Sequence, residues 1–351
     1  MNLATTVSPP KPTPMPRVPI HAAERRVTLR APGRLHLGFL DPSGSLGRRF
    51  GSVGLVIDGF ETEFELSAAP SDQVIAVTPA AEAEVARVKA QLQRLRELSA
   101  CQAPLRVRIT QVLPAHAGFG SGTQLALALG RAFVQWHGLD VSTARLAHWL
   151  GRGARSGIGI AGFDHGGLLV DGGPAADGTP APMLARVSLP DAWRVVVVQH
   201  EAHRGLSGSD EKNAMATLAP LPQALAADLC HQVLMRVLAG AASDDFPAFA
   251  AGINRIQQVL GAHFAPAQGG SAYTSPAVAA LIGWLADSAS DHPAALGQSS
   301  WGPTGFAIVP SLRAAEALVA AARAADAVAP GLTLKIVAAR DRGALLTDQV
   351  G

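Results

Sequence analysis

The 351-residue chain is predicted to adopt an α+β fold, in which helices and strands are mixed along the sequence. Segments with alternating apolar residues, typical of half-buried strands, recur beside segments with apolar residues at the three- and four-residue spacing of amphipathic helices. The two kinds of segment do not alternate strictly, which argues against a doubly wound parallel sheet. Hydrophobic residues make up 48% and charged residues 16% of the chain, a composition that suits a compact enzyme.

The predicted elements begin after a proline-rich extension. Residues 1–26 are expected to be flexible, because closely spaced prolines from Pro9 to Pro19 prevent a regular helix. A strand is predicted at 27–31 and is expected to end at Pro32 and Gly33.

Two strands at 53–57 and 61–66 are predicted to form a pair joined across Asp58 and Gly59. An amphipathic helix follows between residues 80 and 99, and residues 105–109 alternate as a strand that leads into a glycine-rich loop. The later elements are predicted as helices at 122–137, 142–151, 221–240, 244–260, 275–287 and 311–325, and as strands at 167–171, 194–199, 305–309 and 332–347.

The glycine-rich loop at 113–124 is the strongest local signal of a binding site. Gly118, Gly120 and Gly122 leave backbone N–H groups uncovered, and Ser121 and Thr123 are expected to cap the helix that follows. Free N–H groups and the positive end of a helix dipole together favour phosphate. Taken alone, the segment is equally compatible with an ordinary glycine turn.

Three further glycine-rich segments accompany this loop. The first, at 31–54, places Arg34, Arg48 and Arg49 in glycine settings where a guanidinium can fork onto phosphate or carboxylate. The second lies at 151–167, and the third, at 297–305, contains Ser299 and Ser300. Four such loops together predict a site for a polyanion.

The bulk composition excludes several other classes of protein. A formal net charge of +2 provides no electrostatic footprint for nucleic acid. The two cysteines form neither a disulfide framework nor a metal motif, which favours a cytoplasmic enzyme. No apolar run approaches the roughly 20 residues of a membrane helix, so no membrane partner is expected.

Three of these segments resemble the motifs of the GHMP kinase superfamily. They are Ala31-Pro-Gly-Arg34, the Pro114 segment that runs through Gly-Phe-Gly-Ser-Gly122, and the late loop at 297–305. The resemblance spans residues 27–347. It implies an N-terminal domain at 27–190 that resembles ribosomal protein S5 domain 2, and a ferredoxin-like C-terminal domain at 191–351.

The departures from the kinase pattern bear on function. Gly122 stands where these kinases usually have a second serine, and Arg34 replaces their usual lysine. Gly159 occupies the position of the aspartate that several of them use as a catalytic base. A phosphate-binding frame therefore remains, whereas the groups for kinase chemistry are missing.

A more specific resemblance is to the β-ribofuranosylaminobenzene 5'-phosphate synthase family within this superfamily. It rests on Arg34-Leu-His-Leu-Gly-Phe-Leu-Asp41, Gly47-Arg-Arg-Phe-Gly-Ser-Val-Gly54, Arg155-Ser-Gly-Ile-Gly159 and Gln298-Ser-Ser-Trp-Gly-Pro-Thr304. The resemblance implies that phosphoribosyl pyrophosphate is joined to 4-aminobenzoate or 4-hydroxybenzoate. Pyrophosphate and CO2 leave, and a C-riboside forms on the route to tetrahydromethanopterin.

That chemistry assigns expected roles to individual residues. Arg34, Arg155 and Arg204 are candidates for binding the aromatic carboxylate. The candidate acid–base groups are His36, His165, His200 and His203. A Mg2+ ion is expected to bridge pyrophosphate oxygens while keeping several waters. The candidate residues are Arg34, His36, Asp164 and Arg155 for catalysis, Gly118, Gly120, Ser121, Gly122, Thr123, Arg48, Ser299 and Ser300 for phosphate, and Asp41 for the metal.

Alternatives remain open at this point. Asp41 and Asp164 are equally compatible with turn or helix-capping roles. An ATP-dependent small-molecule kinase with Asp164 as its base, or a catalytically silent ligand sensor, fits the same phosphate-binding frame. A homodimer is expected as the default for such an enzyme.

Overall fold

The computed structural model describes residues 25–203, 205, 208–288 and 293–350. Residues 1–24 of the proline-rich extension, and the candidate Arg204, therefore lie outside the described residues.

Seven strands form the first sheet. They are β1 (Arg26–Asp41), β2 (Phe50–Ala68), β3 (Gln73–Ala76), β4 (Leu105–Gln111), β5 (Leu168–Asp171), β6 (Met183–Val187) and β11 (Leu345–Gln349). The order is β11-β1-β2-β4-β3, with β5 paired to β2 and β6 paired to β5. All these pairs are antiparallel except β3 with β4.

The first strand does not end at Pro32 and Gly33, as the sequence predicts. It continues to Asp41, and its pairing with β2 shifts register between Pro32 and Arg34. Such a bulge accommodates a proline, which has no N–H to donate. A Cβ at Gly33 would lie 2.9 Å from Leu113 Cδ2, so glycine permits the close approach of the glycine-rich loop at 113–124.

The predicted strand pair at 53–57 and 61–66 is instead one 19-residue strand, β2. Both halves pair with β1, and the half nearer its N-terminus also pairs with β5 while the other half pairs with β4. Gly59, with φ of +77°, bends the strand without reversing it. The predicted reversal at Asp58-Gly59 is therefore wrong, because β1 pairs with β2 on both sides of this position, at Val56 and at Glu61.

Four strands form the second sheet. They are β7 (Arg194–His200), β8 (Ala295–Gln298), β9 (Gly305–Val309) and β10 (Leu332–Val337). Their order is β10-β7-β9-β8, and every neighbouring pair is antiparallel. Helices connect β7 to β8 and β9 to β10, which gives the split βαβ arrangement and confirms the ferredoxin-like expectation.

Helices pack against both sheets. The helical segments of the first half are α1 (Pro79–Glu82), α2 (Val85–Ser99), α3 (Ser121–His137), α4 (Thr143–Trp149) and α5 (Ile158–Asp164). Those of the second half are α6 (Gly208–Thr217), α7 (Gln223–Gln232), α8 (Ala239–Ser243), α9 (Phe246–Phe264), α10 (Pro276–Asp287) and α11 (Leu312–Ala324). The sequence predicted most of these helices but neither α5 nor α6, and it missed the short strands β3, β6 and β8.

Three large buried clusters hold these layers together. One lies between the first sheet and α2, α3 and α4, and another between the second sheet and α10 and α11. The third joins the two halves of the chain, because it combines Leu35 and Val53 of the first sheet with Val195 of the second and Phe249 of α9. The C-terminal strand β11 also returns to the first sheet. One of the three clusters is therefore shared by both sheets and packs the two halves of the chain against each other.

Among the described residues, one helical stretch is long and apolar enough to cross a membrane, judged by length and composition alone. It is Gln223–Ser243, which comprises α7, a π-helical segment (Val233–Leu238) and α8. Its buried residues, among them Leu229, Val233 and Val237, belong to the cluster that joins the two halves. A helix that packs in a protein core can have the same length and apolar composition.

Candidate active site

A cleft of about 540 Å3 lies where the loop before α3 meets loops from both halves of the chain. Its walls come from residues 116–123, from 151–156, and from 300–302 of the turn between β8 and β9. Four arginines line it: Arg34, Arg87, Arg152 and Arg155. No carboxylate side chain belongs to the described lining. The cleft is therefore suited to an anion with several negative charges.

The N-terminus of α3 opens into this cleft. Gly120 is the N-cap residue, with φ of +75°, and no side chain caps the helix. The expectation that Ser121 and Thr123 cap the helix is therefore wrong, because Ser121 is already its first residue. Both side chains line the cleft together with Gly118, Gly120 and Gly122. An uncapped N-terminus leaves its N–H groups available to a ligand.

The loop before α3 packs tightly on the turn between β8 and β9. A Cβ at Gly118 would collide with the Ser299 carbonyl oxygen, and one at Gly302 would collide with the backbone of Ala117 and Gly118. The buried Ser299 hydroxyl donates to the Gly118 carbonyl over 2.7 Å and accepts from the His36 N–H over 2.9 Å. Ser299 thus fastens the two loops and has no access to phosphate, whereas Ser300 lines the cleft.

The bulge in β1 aims Arg34 at the glycine loop. Its Nη1 donates to the Gly118 carbonyl over 2.6 Å, and its backbone N–H donates to the Phe119 carbonyl over 3.1 Å. A Cβ at Gly120 would lie 3.1 Å from Arg34 Cζ. The guanidinium therefore lies directly against the N-terminus of α3, where it adds charge to the same anion site.

The second group of cations comes from elements that are distant in sequence. Burial, followed by the Arg87 charge, lowers the pKa of Arg152. Arg152 Nη1 lies 3.3 Å from the Cβ position of Gly122, so it too faces the N-terminus of α3. Arg155 directs Nη1 toward Met215 Sδ of α6, at 3.7 Å. Mutual repulsion in this group is relieved when an anion binds.

Asp171, at the end of β5, holds the loop that carries Arg152 and Arg155. Its buried carboxylate accepts from the Gly157 N–H and the Gly173 N–H, each over 2.8 Å, and from the Ser156 hydroxyl over 3.1 Å. Burial raises the pKa of Asp171, and these hydrogen bonds oppose that shift. The carboxylate therefore positions the loop rather than reacting.

We expect Asp171→Ala to lower the free energy of unfolding by about 1–3 kcal/mol, because it leaves buried N–H donors without an acceptor. Urea denaturation measures this change. Asp177→Ala is the matched control, since that exposed carboxylate accepts only within its own loop, from Thr179. If both variants unfold at the wild-type urea concentration, Asp171 does not hold the loop.

His36 lies at the inner end of the cleft and is 3% exposed. Burial, with the charges of Arg34 and Arg155, lowers the pKa of His36 to about 3. The ring is therefore neutral at pH 7 and has a low proton affinity. Its Nε2 is buried and has no hydrogen-bond partner among the described residues. A buried polar atom of this kind is costly unless a ligand satisfies it.

This environment predicts a pH dependence of stability. The pKa of His36 is lower in the folded than in the unfolded chain, so protons bind preferentially to the unfolded chain as the pH falls below about 6.5. At about pH 4.5 the resulting loss of stability is about 3 kcal/mol relative to pH 7. We expect His36→Gln to lose less stability over this interval in urea titrations at both pH values. Parallel losses in the two proteins would contradict the prediction.

Besides Ser299, three of the predicted site residues lie outside the described lining of the cleft. The Asp41 carboxylate accepts from the N–H groups of Ser43, Gly44 and Ser45 and from the Ser45 hydroxyl, over 2.6–3.1 Å. It stabilises a turn, so its assignment as the metal ligand is corrected. This outcome matches the alternative that the sequence left open.

Asp164 and Arg48 also lie outside the described lining of the cleft. Asp164 accepts from the Thr143 hydroxyl over 2.6 Å, and that hydroxyl in turn accepts from Arg131. The network braces α4 against α5 away from the cleft, so Asp164 is not a catalytic residue of this site. Arg48 is exposed and donates to the Gly173 carbonyl over 3.0 Å. Its assignment to phosphate is corrected as well.

The described residues fit a protein-bound Mg2+ ion poorly. No group of three or more His, Cys, Asp and Glu side chains lies close enough to hold a metal in the part of the chain that the structure describes. The oxygen donors of the described cleft side chains are hydroxyls, such as those of Ser121, Thr123 and Ser300. Mg2+ sites ordinarily include one or two carboxylates.

Sequence reasoning missed Arg87, Arg152, Asp171 and Trp301 as site residues. Arg87 resembles any solvated charge on an amphipathic helix, so no local signal distinguishes it. Arg152 stands between two glycines, and Trp301 lies within the Gln298–Thr304 motif, so both positions carried a sequence signal. Asp171 directly follows the apolar run of β5, where a buried carboxylate is unusual.

Comparisons with known proteins show what the chain is similar to. The family model for the GHMP kinases N terminal domain matches residues 85–167, and the model for the GHMP kinases C terminal domain matches residues 237–327. The chain is 34% identical over 296 residues to a beta-ribofuranosylphenol 5'-phosphate synthase from Archaeoglobus fulgidus, covering 81% of this chain and 88% of that protein. A protein of the same name from Methanothermobacter thermautotrophicus is 32% identical, covering 65% and 74%.

Solved structures support the fold at lower sequence identity. Homoserine kinase from Cytophaga hutchinsonii superposes with a TM-score of 0.67 at 16% identity, covering 94% of this chain and all of that chain. Mevalonate diphosphate decarboxylase from Staphylococcus aureus gives 0.64 at 15% identity, covering 92% and 98%. These two likenesses bear on the fold alone.

Proposed function

Since the chain belongs to the beta-ribofuranosylphenol 5'-phosphate synthase family of the GHMP kinase superfamily, we propose that it transfers phosphoribosyl from phosphoribosyl pyrophosphate to 4-aminobenzoate or 4-hydroxybenzoate. Pyrophosphate and CO2 are released, and a C-riboside forms. The enzyme is a decarboxylating pentosyltransferase of tetrahydromethanopterin biosynthesis that acts in the cytoplasm as a homodimer.

The observation that carries this proposal is a cleft with four arginines and no carboxylate in its described lining. In the transfer, the bond from ribose C1 to pyrophosphate breaks, and its electron pair leaves with pyrophosphate. The ring carbon that bears the carboxylate bonds to C1. CO2 then departs, and the electron pair of its bond restores the aromatic ring. No proton has to be removed from the acceptor, so the reaction needs no general base.

The arginines of the cleft are proposed to stabilise the charge that develops during this reaction. Negative charge builds on the departing pyrophosphate, and preorganised N–H groups and guanidinium groups stabilise it most effectively. Arg34 and Arg152 lie on either side of the N-terminus of α3, so both face the same anion. Arg155 and Arg34 are also candidates for the carboxylate of the acceptor, because both charges act on the intervening His36.

A small-molecule kinase is the second candidate, and the structure provides little support for it. A kinase that phosphorylates an alcohol needs a group to receive the hydroxyl proton. Asp164, the base considered from the sequence, is engaged by Thr143 outside the cleft. A Cβ at Gly159 would lie 3.1 Å from Thr123 Cγ2, which leaves little room for an aspartate there. A silent ligand sensor is distinguished only by its lack of turnover.

One assay separates the three functions. The purified protein is incubated with phosphoribosyl pyrophosphate and carboxyl-labelled 4-hydroxybenzoate or 4-aminobenzoate, without ATP. Release of labelled CO2 with equimolar pyrophosphate is expected. ATP consumption with an alcohol substrate would overturn the proposal in favour of a kinase. Ligand binding without either turnover would favour the sensor.

We further propose that Mg2+ enters as a complex with the substrate pyrophosphate. Because the described cleft lining has no carboxylate, we assign no reaction step to the ion. Activity is expected to require Mg2+, whereas calorimetric titration of MgCl2 into the protein alone should reveal no saturable binding. Tight binding of Mg2+ without phosphoribosyl pyrophosphate would contradict this prediction.

A further inference from the structure

A second, smaller cavity of about 40 Å3 opens beside the cleft. The two spaces share four lining residues: His36, Phe39, Ser300 and Trp301. The cavity is therefore a side pocket of the cleft rather than a separate site. Its deeper wall is formed by α9 and the turn that follows it, which includes Leu260 and Phe264.

The walls of this pocket are aromatic. Phe39, Phe264 and Trp301 surround it, with ring centroids 6.4 Å apart for Phe39 and Phe264, and 4.9 Å apart for Phe264 and Trp301. Phe39 and Trp301 are buried, at 5% and 3% exposure. Aromatic rings packed at such distances form a surface on which a further ring gains both burial and edge or offset stacking.

The polar groups of the pocket differ in how well they are satisfied. Gln298 Oε1 accepts from the Thr274 N–H over 2.7 Å, and Gln298 Nε2 donates to the Ser300 carbonyl over 2.9 Å. Gln257 Nε2 donates to the Leu37 carbonyl over 2.6 Å. His36 Nε2, by contrast, is a buried polar atom without a hydrogen-bond partner among the described residues. The His36 residue lines both the pocket and the cleft.

From these observations we propose that the pocket binds the outer edge of the acceptor ring, and that His36 Nε2 hydrogen-bonds to the substituent para to the carboxylate. This inference rests on the proposed function, because it identifies where that acceptor binds. His36 is then a positioning residue that holds the ring against ribose C1.

The size of the pocket sets the orientation of the acceptor. One water needs roughly 10–15 Å3 of such volume, so 40 Å3 accommodates one edge of a ring and its substituent but not a whole benzoate. The carboxylate end must therefore remain in the cleft, which contains Arg34 and Arg155. The ring carbon that is to bond to C1 carries this carboxylate, so the orientation places it beside the pyrophosphate-binding groups.

The hydrogen-bonding capacity of His36 matches both para substituents. A neutral imidazole has one N–H donor and one acceptor nitrogen, and hydroxyl and amino groups each donate and accept. Burial keeps the ring neutral, and no carboxylate faces it from the described lining of either cavity. The same pocket therefore accepts 4-hydroxybenzoate and 4-aminobenzoate, while benzoate leaves Nε2 unsatisfied.

Binding measurements on two probes test the role of His36. Calorimetry gives the Kd of 4-hydroxybenzoate and of benzoate for the wild-type protein and for His36→Phe, each saturated with pyrophosphate. The wild type is expected to bind 4-hydroxybenzoate about tenfold more tightly than benzoate, which corresponds to about 1.4 kcal/mol. This preference should vanish in His36→Phe. A preference that survives the substitution would overturn the assignment of His36.

A second variant tests the pocket without altering the buried histidine. Ala272 lines the pocket but is exposed, so Ala272→Leu fills the space with little effect on folding. We expect a KM for the aromatic acid at least tenfold higher and an unchanged KM for phosphoribosyl pyrophosphate. Ala320→Leu, at an exposed alanine of α11, is the matched control and should leave both constants unchanged. An unchanged aromatic KM in Ala272→Leu would overturn the pocket assignment.

These experiments separate the two proposals. If the wild type turns over both substrates but neither variant changes aromatic binding, the pocket assignment fails and the proposed function stands. If no turnover occurs but the para preference is present and depends on His36, the pocket assignment stands and the proposed function fails.

Discussion

Arg34→Ala is expected to lower kcat/KM for phosphoribosyl pyrophosphate by about 10²- to 10³-fold, which is the typical loss when one preorganised donor to a developing charge is removed. The guanidinium lies against the N-terminus of α3 and also donates to the Gly118 carbonyl. Alanine therefore removes a positive charge from the anion site and the hydrogen bond that holds the glycine loop. Steady-state kinetics of CO2 release measure the effect.

Two further variants show which of these losses matters. Arg34→Lys keeps the charge but lacks the planar fork, so we expect an intermediate activity. Arg30→Ala is the matched control. Arg30 belongs to the same strand as Arg34 but lies outside the cleft, where its half-exposed side chain pairs with Glu63. This variant should retain nearly the wild-type kcat/KM. Wild-type activity in Arg34→Ala would remove the basis for the proposed phosphate site.

Gly120→Leu is expected to abolish measurable turnover while the protein remains folded. The first atom of the new side chain would lie 3.1 Å from Arg34 Cζ, and the remainder would occupy the mouth of the cleft. The site would lose the space above the N-terminus of α3, where the phosphate is proposed to bind. Tryptophan fluorescence and thermal unfolding verify the fold, and the CO2 assay measures the loss.

The opposite end of the same helix provides the matched control. Gly138 is the C-cap of α3, with φ of +61°, close to the +75° of Gly120. Leucine at either position incurs a similar backbone strain, of about 1–2 kcal/mol. The space around the Cβ position of Gly138 is open, however, and it lies outside the cleft. Gly138→Leu should therefore be destabilised but active. Equal loss of activity in both variants would attribute the effect to strain alone.

The sequence predicted the location of the loop glycines and Arg34 better than that of the two aspartates, and the difference has a physical reason. The glycines of the loop before α3 and Arg34 lie in the cleft, as expected, since they act through the backbone at a helix N-terminus that the sequence already marks. Asp41 and Asp164 were misassigned, because a carboxylate beside N–H and hydroxyl donors satisfies itself locally as readily as it binds a metal.

The strand predictions failed where partners come from elsewhere in the chain. Pro32 and the Asp58-Gly59 pair are turn signals in isolation, but β1 and β2 pair with each other on both sides of each position. A bulge at Pro32 and a positive φ at Gly59 absorb the local conflict. Local preference of about 1 kcal/mol per residue is easily exceeded by such long-range pairing.

The sequence by itself determined the α+β class, most of the helices, the family and the glycine-rich loop before α3, since each of these is written in periodicity or in contiguous motifs. Only the tertiary structure decided which charges share the cleft and what surrounds His36. Arg87, the loop that carries Arg152, and Trp301 meet there from three distant parts of the chain. Their proximity depends on how the two sheets pack around one core, and no local pattern encodes that packing.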